Sequence, residues 1–198
     1  MDEDDPQREP RAPAIETLLT RHSLGPRWMV EPGPSRAQLR VAIRAALRAP
    51  DHRGLHPWRA VIVARAQRAA LAERFAAFAR DVGKDEAEIA AERERAFNGP
   101  ALVAWIARID DGVAEVPPHE QWICVGGALT LFLTALHAQG FGAKTLSGRK
   151  CSHPAVAGAF CAPGEQLVAF VCAGTPSRPV LARGGDDADA VLTDWRAG

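Results

Sequence analysis

The sequence predicts a layered domain of α/β/α or α+β class, with helices covering both faces of a sheet. Three observations carry that prediction. Residues 58–64, 101–109 and 166–173 form hydrophobic runs without polar alternation, as strands covered on both faces do. Segments with helical spacing of apolar residues separate them. The chain has 198 residues, 47% of them hydrophobic, enough for one core of ordinary domain size.

Taken in order, Ile15 to Arg21 reads as a short helix with Ile15, Leu18 and Leu19 on one face. Gly25-Pro26 and Pro32-Gly33-Pro34 then break the chain. Ser35 and Gln38 have capping-box spacing and open a helix whose Leu39, Ile43, Ala46 and Leu47 face inward. Val61, Ile62 and Val63 mark a buried strand from Trp58 to Ala64. Gln67 to Val82 follows as a helix with Leu71, Phe75 and Phe78 as its stripe, and charge-laced Lys84 to Phe97 reads as a helical surface cover. Pro100 introduces the second strand, which Asp110-Asp111-Gly112 closes.

Glu120 to Gln139 is the predicted core helix. Only Thr130 and Thr134 are polar interruptions between Trp122 and Leu136, a run shorter than the about 20 apolar residues of a membrane span. A helix apolar all round is expected to be buried all round, in a domain centre or a subunit interface. Gly126 and Gly127 each cost helix propensity, roughly 1 kcal/mol against alanine, which points to close approach of another backbone. Gly140 is expected to end the helix in left-handed geometry and lead into Ala143 to Leu146. The strand Gln166 to Ala173 stops at Gly174-Thr175-Pro176, and a last short helix is expected near Ala188 to Trp195. Residues 1–12, opening Met1-Asp2-Glu3-Asp4-Asp5, read as a loose arm, and residues 13–198 as one domain.

Formal net charge is +0, which argues against nucleic acid or an anionic membrane as partner. Cys124, Cys151, Cys161 and Cys172 form no CxxC pair, and a reduced, cytoplasmic location is expected. No GxGxxG or Walker pattern is present, so a Rossmann nucleotide site is discounted. His52 and His56 stand four apart, but Gly54 and Pro57 oppose a helix there and no third ligand is suitably spaced, so no metal site is expected. Cys151-Ser152-His153 reads as a helix start before Pro154.

Three segments carry candidate chemistry. Arg48 to Arg59 crowds Arg48, His52, Arg53, His56 and Arg59 into one connection, a donor density suited to an anion. Arg21-His22-Ser23 offers charge, fork geometry and a hydroxyl, as a phosphate requires; Arg21 would also be favoured simply as a cation at a helix C-terminus. Lys144-Thr145-Leu146-Ser147-Gly148 follows the glycine cap with short polar groups that could meet the polar edge of a ring system.

In this order the segments resemble the flavin-dependent nitroreductase family, in its branch of minimal bacterial NAD(P)H nitroreductases. The likeness runs from about Ile15 to Pro176. Leu18-Leu19-Thr20-Arg21-His22-Ser23, Arg48-Ala49-Pro50-Asp51-His52, Pro57-Trp58-Arg59, Ala138-Gln139-Gly140-Phe141-Gly142, Ser147-Gly148 and Gly174-Thr175-Pro176 carry it. The resemblance implies α/β/α layers around a mixed, largely antiparallel sheet, in a domain-exchanged homodimer holding FMN at its interface. It implies that Arg21, His22 and Ser23 bind the phosphate and ribityl chain, and that Arg48 and His52 sit on the same flavin with His56 nearby. Thr145, Leu146 and Ser147 would close the site from across the interface. Ala135, Leu136, His137, Ala138, Gln139 and Gly140 match the stretch associated with the nicotinamide nucleotide. Flavin N5 would carry the chemistry, with no catalytic side chain, as hydride passes from NADH or NADPH to a nitroaromatic, quinone or similar small oxidant in ping-pong order.

Two departures stand out. His22 occupies the middle of a common Arg-Arg-Ser triplet, and Thr145-Leu146-Ser147 stands where Trp-Arg-Ser is often found. The second removes a stacking surface and a cation, which keeps open a flavin-binding sensor or storage protein without turnover. A cofactor-free interaction protein, using its apolar helix to bind a partner, is a further alternative.

Overall fold

The computed structural model describes residues 13–179 and 187–196; the expected N-terminal arm lies outside them. Helix α1 (Pro13–Thr20) leads to strand β1 (Met29–Val30) and helix α2 (Arg36–Ala46). Strand β2 (Trp58–Ile62), helices α3 (Arg68–Asp81) and α4 (Glu86–Glu94), and strand β3 (Ala101–Arg108) follow. Helix α5 (Pro118–Ala138), strand β4 (Gly142–Leu146), the short α6 (Pro154–Ala157) and strand β5 (Glu165–Pro176) complete the order. The paired strands are antiparallel, in the order β1-β5-β3-β2 with β4 also on β5, so the fold is α+β with an antiparallel five-stranded sheet.

The unalternated runs have a direct cause. Along β3, Val103, Trp105 and Ala107 enter a core under α2 and α5, while Leu102, Ala104 and Ile106 enter a second core under α3. Both faces are therefore apolar. Trp58 stacks on Trp105 with ring centres 4.6 Å apart, joining β2 to β3 inside the first core.

Local signals were followed closely. Ser35 and Gln38 form the capping box of α2. His153 caps α6, its side chain accepting from the Ala155 N–H. Gly140 has φ of 84°, and the Phe141 N–H closes back on the Leu136 carbonyl at 3.0 Å. Helix α4 is less of a surface cover than expected, because it buries Ile89 and Glu92. Glu92 takes Lys84 at 2.7 Å, Lys150 at 2.8 Å and Arg95, tying α4 to the turn after β4. The expected final helix is only a 3-10 turn, Ala188–Ala190.

The largest correction concerns α5. Its 21 residues, against the 20 expected, are enough by length and composition to cross a membrane, but one face of it packs into the core of the domain. One face, Cys124, Val125, Ala128, Phe132 and Leu136, is buried in the first core. The opposite face is not: Trp122 is 39% and Ile123 64% exposed, and Gly126 and Thr130 are exposed with them. Nor does another backbone press on the glycine pair within the chain. A Cβ on Gly126 would meet nothing within 4 Å, and one on Gly127 would touch the Ala49 side chain at 3.5 Å.

Candidate functional site

The segment after α1 is stitched to β4. Ser23 bridges Ala143 in parallel sense, and the Leu24 N–H donates to the Ala143 carbonyl at 3.1 Å. Gly142 makes this approach possible, since a Cβ there would collide with Leu24. Arg21, His22 and Ser23 are thereby fixed beside the start of β4, and Thr145, Leu146 and Ser147 lie at its far end. Thr145 pairs with Val171 and Leu146 with Phe170. Leu146 packs against the second core, while Ser147 is exposed.

Two residues outside the sequence-derived set join this cluster. Arg178, just beyond β5, lines a cavity of about 340 Å³ with His22, Ser23, Leu24, Gly25 and Pro179. Its guanidinium lies over Trp28, 4.1 Å from the ring centre. Thr20 is the other: its hydroxyl stands 3.1 Å from His137 Nε2, at the last turn of α5. Burial first, then the neighbouring Arg21 and His22, hold the His137 pKa below the ordinary histidine value. Arg21 itself has no hydrogen bond or ion pair among the described residues. A basic residue two positions past Pro176 was the available signal for Arg178.

The second basic segment, between α2 and β2, is organised by Asp51. Its carboxylate accepts from the Leu55 N–H at 3.0 Å and the His56 N–H at 2.8 Å. The turn is tight enough to hold Arg53 and His56 at positive φ, 63° and 49°, a cost of order 1 kcal/mol or more each. Of its five basic groups, several are already engaged. His52 Nδ1 is 2.9 Å from Glu120, Arg53 pairs with Glu115 at 3.0 Å, and His56 Nδ1 meets the Gly54 carbonyl at 2.7 Å. Arg59 forks onto Glu165 at 2.7 and 2.5 Å and also reaches the Phe160 carbonyl. That fork pulls the Glu165 pKa down to about 2. Arg59 is thus a structural tie, and Arg48 is the member left without a hydrogen bond or ion pair among the described residues.

The two segments do not meet within one chain. His52 touches Glu120 in the first turn of α5, whereas Thr20 touches His137 in the last. Those positions are seventeen residues apart on one continuous helix, which at helical rise is roughly 25 Å. Of the residues expected to meet the nicotinamide nucleotide, Leu136 is fully buried and Ala135 and His137 half-buried, while Ala138 and Gly140 are exposed. The Gln139 amide folds back to donate to the Ala135 carbonyl at 3.0 Å.

A family model described as "Nitroreductase family" matches residues 21–175. The Escherichia coli (strain K12) protein named "Putative NAD(P)H nitroreductase YdjA" is 33% identical over 168 residues, covering 82% of this chain and 88% of its own. A nitroreductase-like family protein from Bacillus cereus superposes with a TM-score of 0.76 at 15% identity, covering 96% of this chain and 100% of that one. The FMN and NADPH-dependent nitroreductase NfnB from a Sphingopyxis strain superposes with a TM-score of 0.69 at 19% identity, covering 94% and 100%.

Proposed function

This chain belongs to the nitroreductase family and is an oxidoreductase; we propose that it is a cytoplasmic homodimer that uses FMN, takes hydride from NADH or NADPH and reduces a small oxidant such as a nitroaromatic or quinone. One observation carries the reading. Two basic segments with unpartnered arginines border a helix whose outward face is apolar and uncovered: Arg21 lies beside its last turn, and the Arg48 segment runs from Ala49, against Gly127, to His52 on Glu120 in its first turn. Two copies packed through that face with their α5 helices antiparallel would bring the Arg48 loop of one against the Arg21 segment of the other. This assignment differs from the sequence expectation in one respect: Thr145, Leu146 and Ser147 would share a chain with the phosphate triplet, and Arg48, His52 and His56 would come from across the interface.

The donors suit FMN. Arg21 and Arg178 supply charge and planar forks for a phosphate, Ser23 a hydroxyl, and the 340 Å³ cavity beside them the room. Arg48 would set a cation at the electron-rich edge of the ring, with His52 and His56 on the same loop. Once bound, FMN supplies hydride acceptance and donation at N5, so no acid–base side chain is required. Ala135–Gly140 remains the candidate approach for the nicotinamide nucleotide, through its exposed members.

Exchange between copies has a second support. Strand β2 is an open edge of the sheet. Beside it lies an apolar cavity of about 360 Å³, floored by Leu39, Trp58 and Phe132 and rimmed by Arg36, Arg40 and Arg108. The segment Val191–Trp195 exposes Val191, Leu192 and Trp195 at 85%, 75% and 87% and carries Asp194, a complement in both polarity and charge. Its docking on a second copy would cover both surfaces.

Anaerobic titration of the FMN-loaded protein with NADPH and NADH tests the proposal. Bleaching near 450 nm, reversed by a nitroaromatic or quinone, is expected. A yellow protein that stays oxidised would favour the sensor reading, and a colourless dimer that ignores FMN the interaction reading.

A further inference from the structure

At the end of α5 the charges that bear on His137 are those of Arg21 and His22, after α1. Of the other elements packed on α5, α2 carries Arg36, Arg40 and Arg44, the first two lining the cavity beside β2, and β4 carries Lys144; the one carboxylate among α1, α2 and β4 is Glu16. His119, Glu120 and Cys124, the other titratable residues of α5, lie in its first half. Into this group α5 inserts His137. The Thr20 hydroxyl donates to the Glu16 carbonyl at 2.8 Å, so toward His137 it offers a lone pair, and Nε2, 3.1 Å away, carries the ring hydrogen. Nδ1 is then the unprotonated nitrogen, and it has no hydrogen-bond partner among the described residues.

Resting on the FMN reading above, we propose that His137 belongs to the phosphate subsite, neutral while the subsite is empty and protonated when a dianionic phosphate sits beside Arg21, His22 and Ser23, so that FMN binding takes up a proton. Neighbouring cations oppose a charge on the empty ring. A phosphate, largely dianionic at neutral pH, reverses that balance. Burial and the same cations already hold the empty ring below the ordinary histidine pKa. Where an Arg-Arg-Ser triplet keeps its charge at every pH, His137 makes the charge of this subsite conditional on its ligand.

The test is calorimetric titration of the apo-protein with FMN at pH 7.0 in buffers of different ionisation enthalpy, repeated with riboflavin, which lacks the phosphate. Wild type takes up protons with FMN and none with riboflavin. His137→Gln, which keeps an N–H for Thr20, binds FMN about tenfold more weakly at pH 6.5 but nearly as well as wild type at pH 8.5, the loss expected for one charge-assisted contact. Its proton uptake falls to less than half that of wild type. Equal uptake in wild type and His137→Gln overturns the inference and leaves FMN binding intact, as does zero uptake in wild type. Failure of wild type to bind FMN overturns both. Should the variant not fold, proton NMR of the wild-type ring with a cross-peak to the Thr20 methyl decides: its pKa must rise when FMN is added.

Discussion

The two faces of α5 look alike in sequence and have different fates. Inward, Cys124, Val125, Ala128, Phe132 and Leu136 are at most 2% exposed and close one of the two sheet cores. Outward, Trp122, Ile123, Gly126 and Thr130 meet nothing that covers them in the single chain. Apolar composition records only that a surface leaves water; whether the cover comes from the same chain or another copy is set by topology, which composition does not encode. The inner face maintains the fold. In the dimer proposed above, the outer face would join the two basic segments into one site.

Substitutions on the two faces should therefore part company. Phe132→Ala, on the inner face against Trp105, should lower unfolding free energy by about 3–5 kcal/mol, the scale of a buried aromatic truncation, read by denaturant titration. Gly126→Trp on the outer face has room within the chain and removes a helix-weakening glycine, so its monomer should be no less stable than wild type. Its dimer should dissociate at least about a hundredfold more readily, roughly 3 kcal/mol, and lose flavin with it, read by light scattering and absorbance together. A monomeric Gly126→Trp that stayed yellow would break the comparison.

Smaller effects sharpen it at the helix ends. Arg21→Ala should weaken FMN binding by about 1.5–3 kcal/mol with little change in stability, because Arg21 has no partner among the described residues to strand. Arg59 is the contrast, a cation from the other basic segment already spent on Glu165. The Glu165 carboxyl is held near 2, below its ordinary unfolded value of about 4.5. Its stabilisation is therefore complete above about pH 4.5 and is lost as pH falls from there toward 2. Melting temperatures should fall more steeply with acid in wild type than in Glu165→Gln, with flavin affinity at neutral pH unaltered.

These contrasts mark what the sequence could disclose. Runs such as 101–109, the Ser35–Gln38 box and the Gly140 cap were readable because each is a local pattern with a local cause. Strand β1 was not, being two residues long with Val30 exposed. Arg48 and Arg59 looked equivalent as members of one basic loop; Glu165, which separates them, lies 106 residues from Arg59. The Thr20–His137 contact spans 117 residues, and nothing in either neighbourhood announces it. Identities of the basic segments were legible, but which cations keep a free charge depended on long-range pairing.

The most direct measurement is complementation between two variants. Arg21→Ala and Arg48→Ala are each purified as homodimers, mixed under exchange conditions, and the heterodimer is titrated with FMN. If every site takes Arg21 from one chain and Arg48 from the other, the heterodimer contains one doubly substituted site and one intact site, and binds one FMN with wild-type affinity. If both arginines of a site came from the same chain, each site in the heterodimer would keep one substitution, no wild-type affinity would reappear, and the shared site would be contradicted.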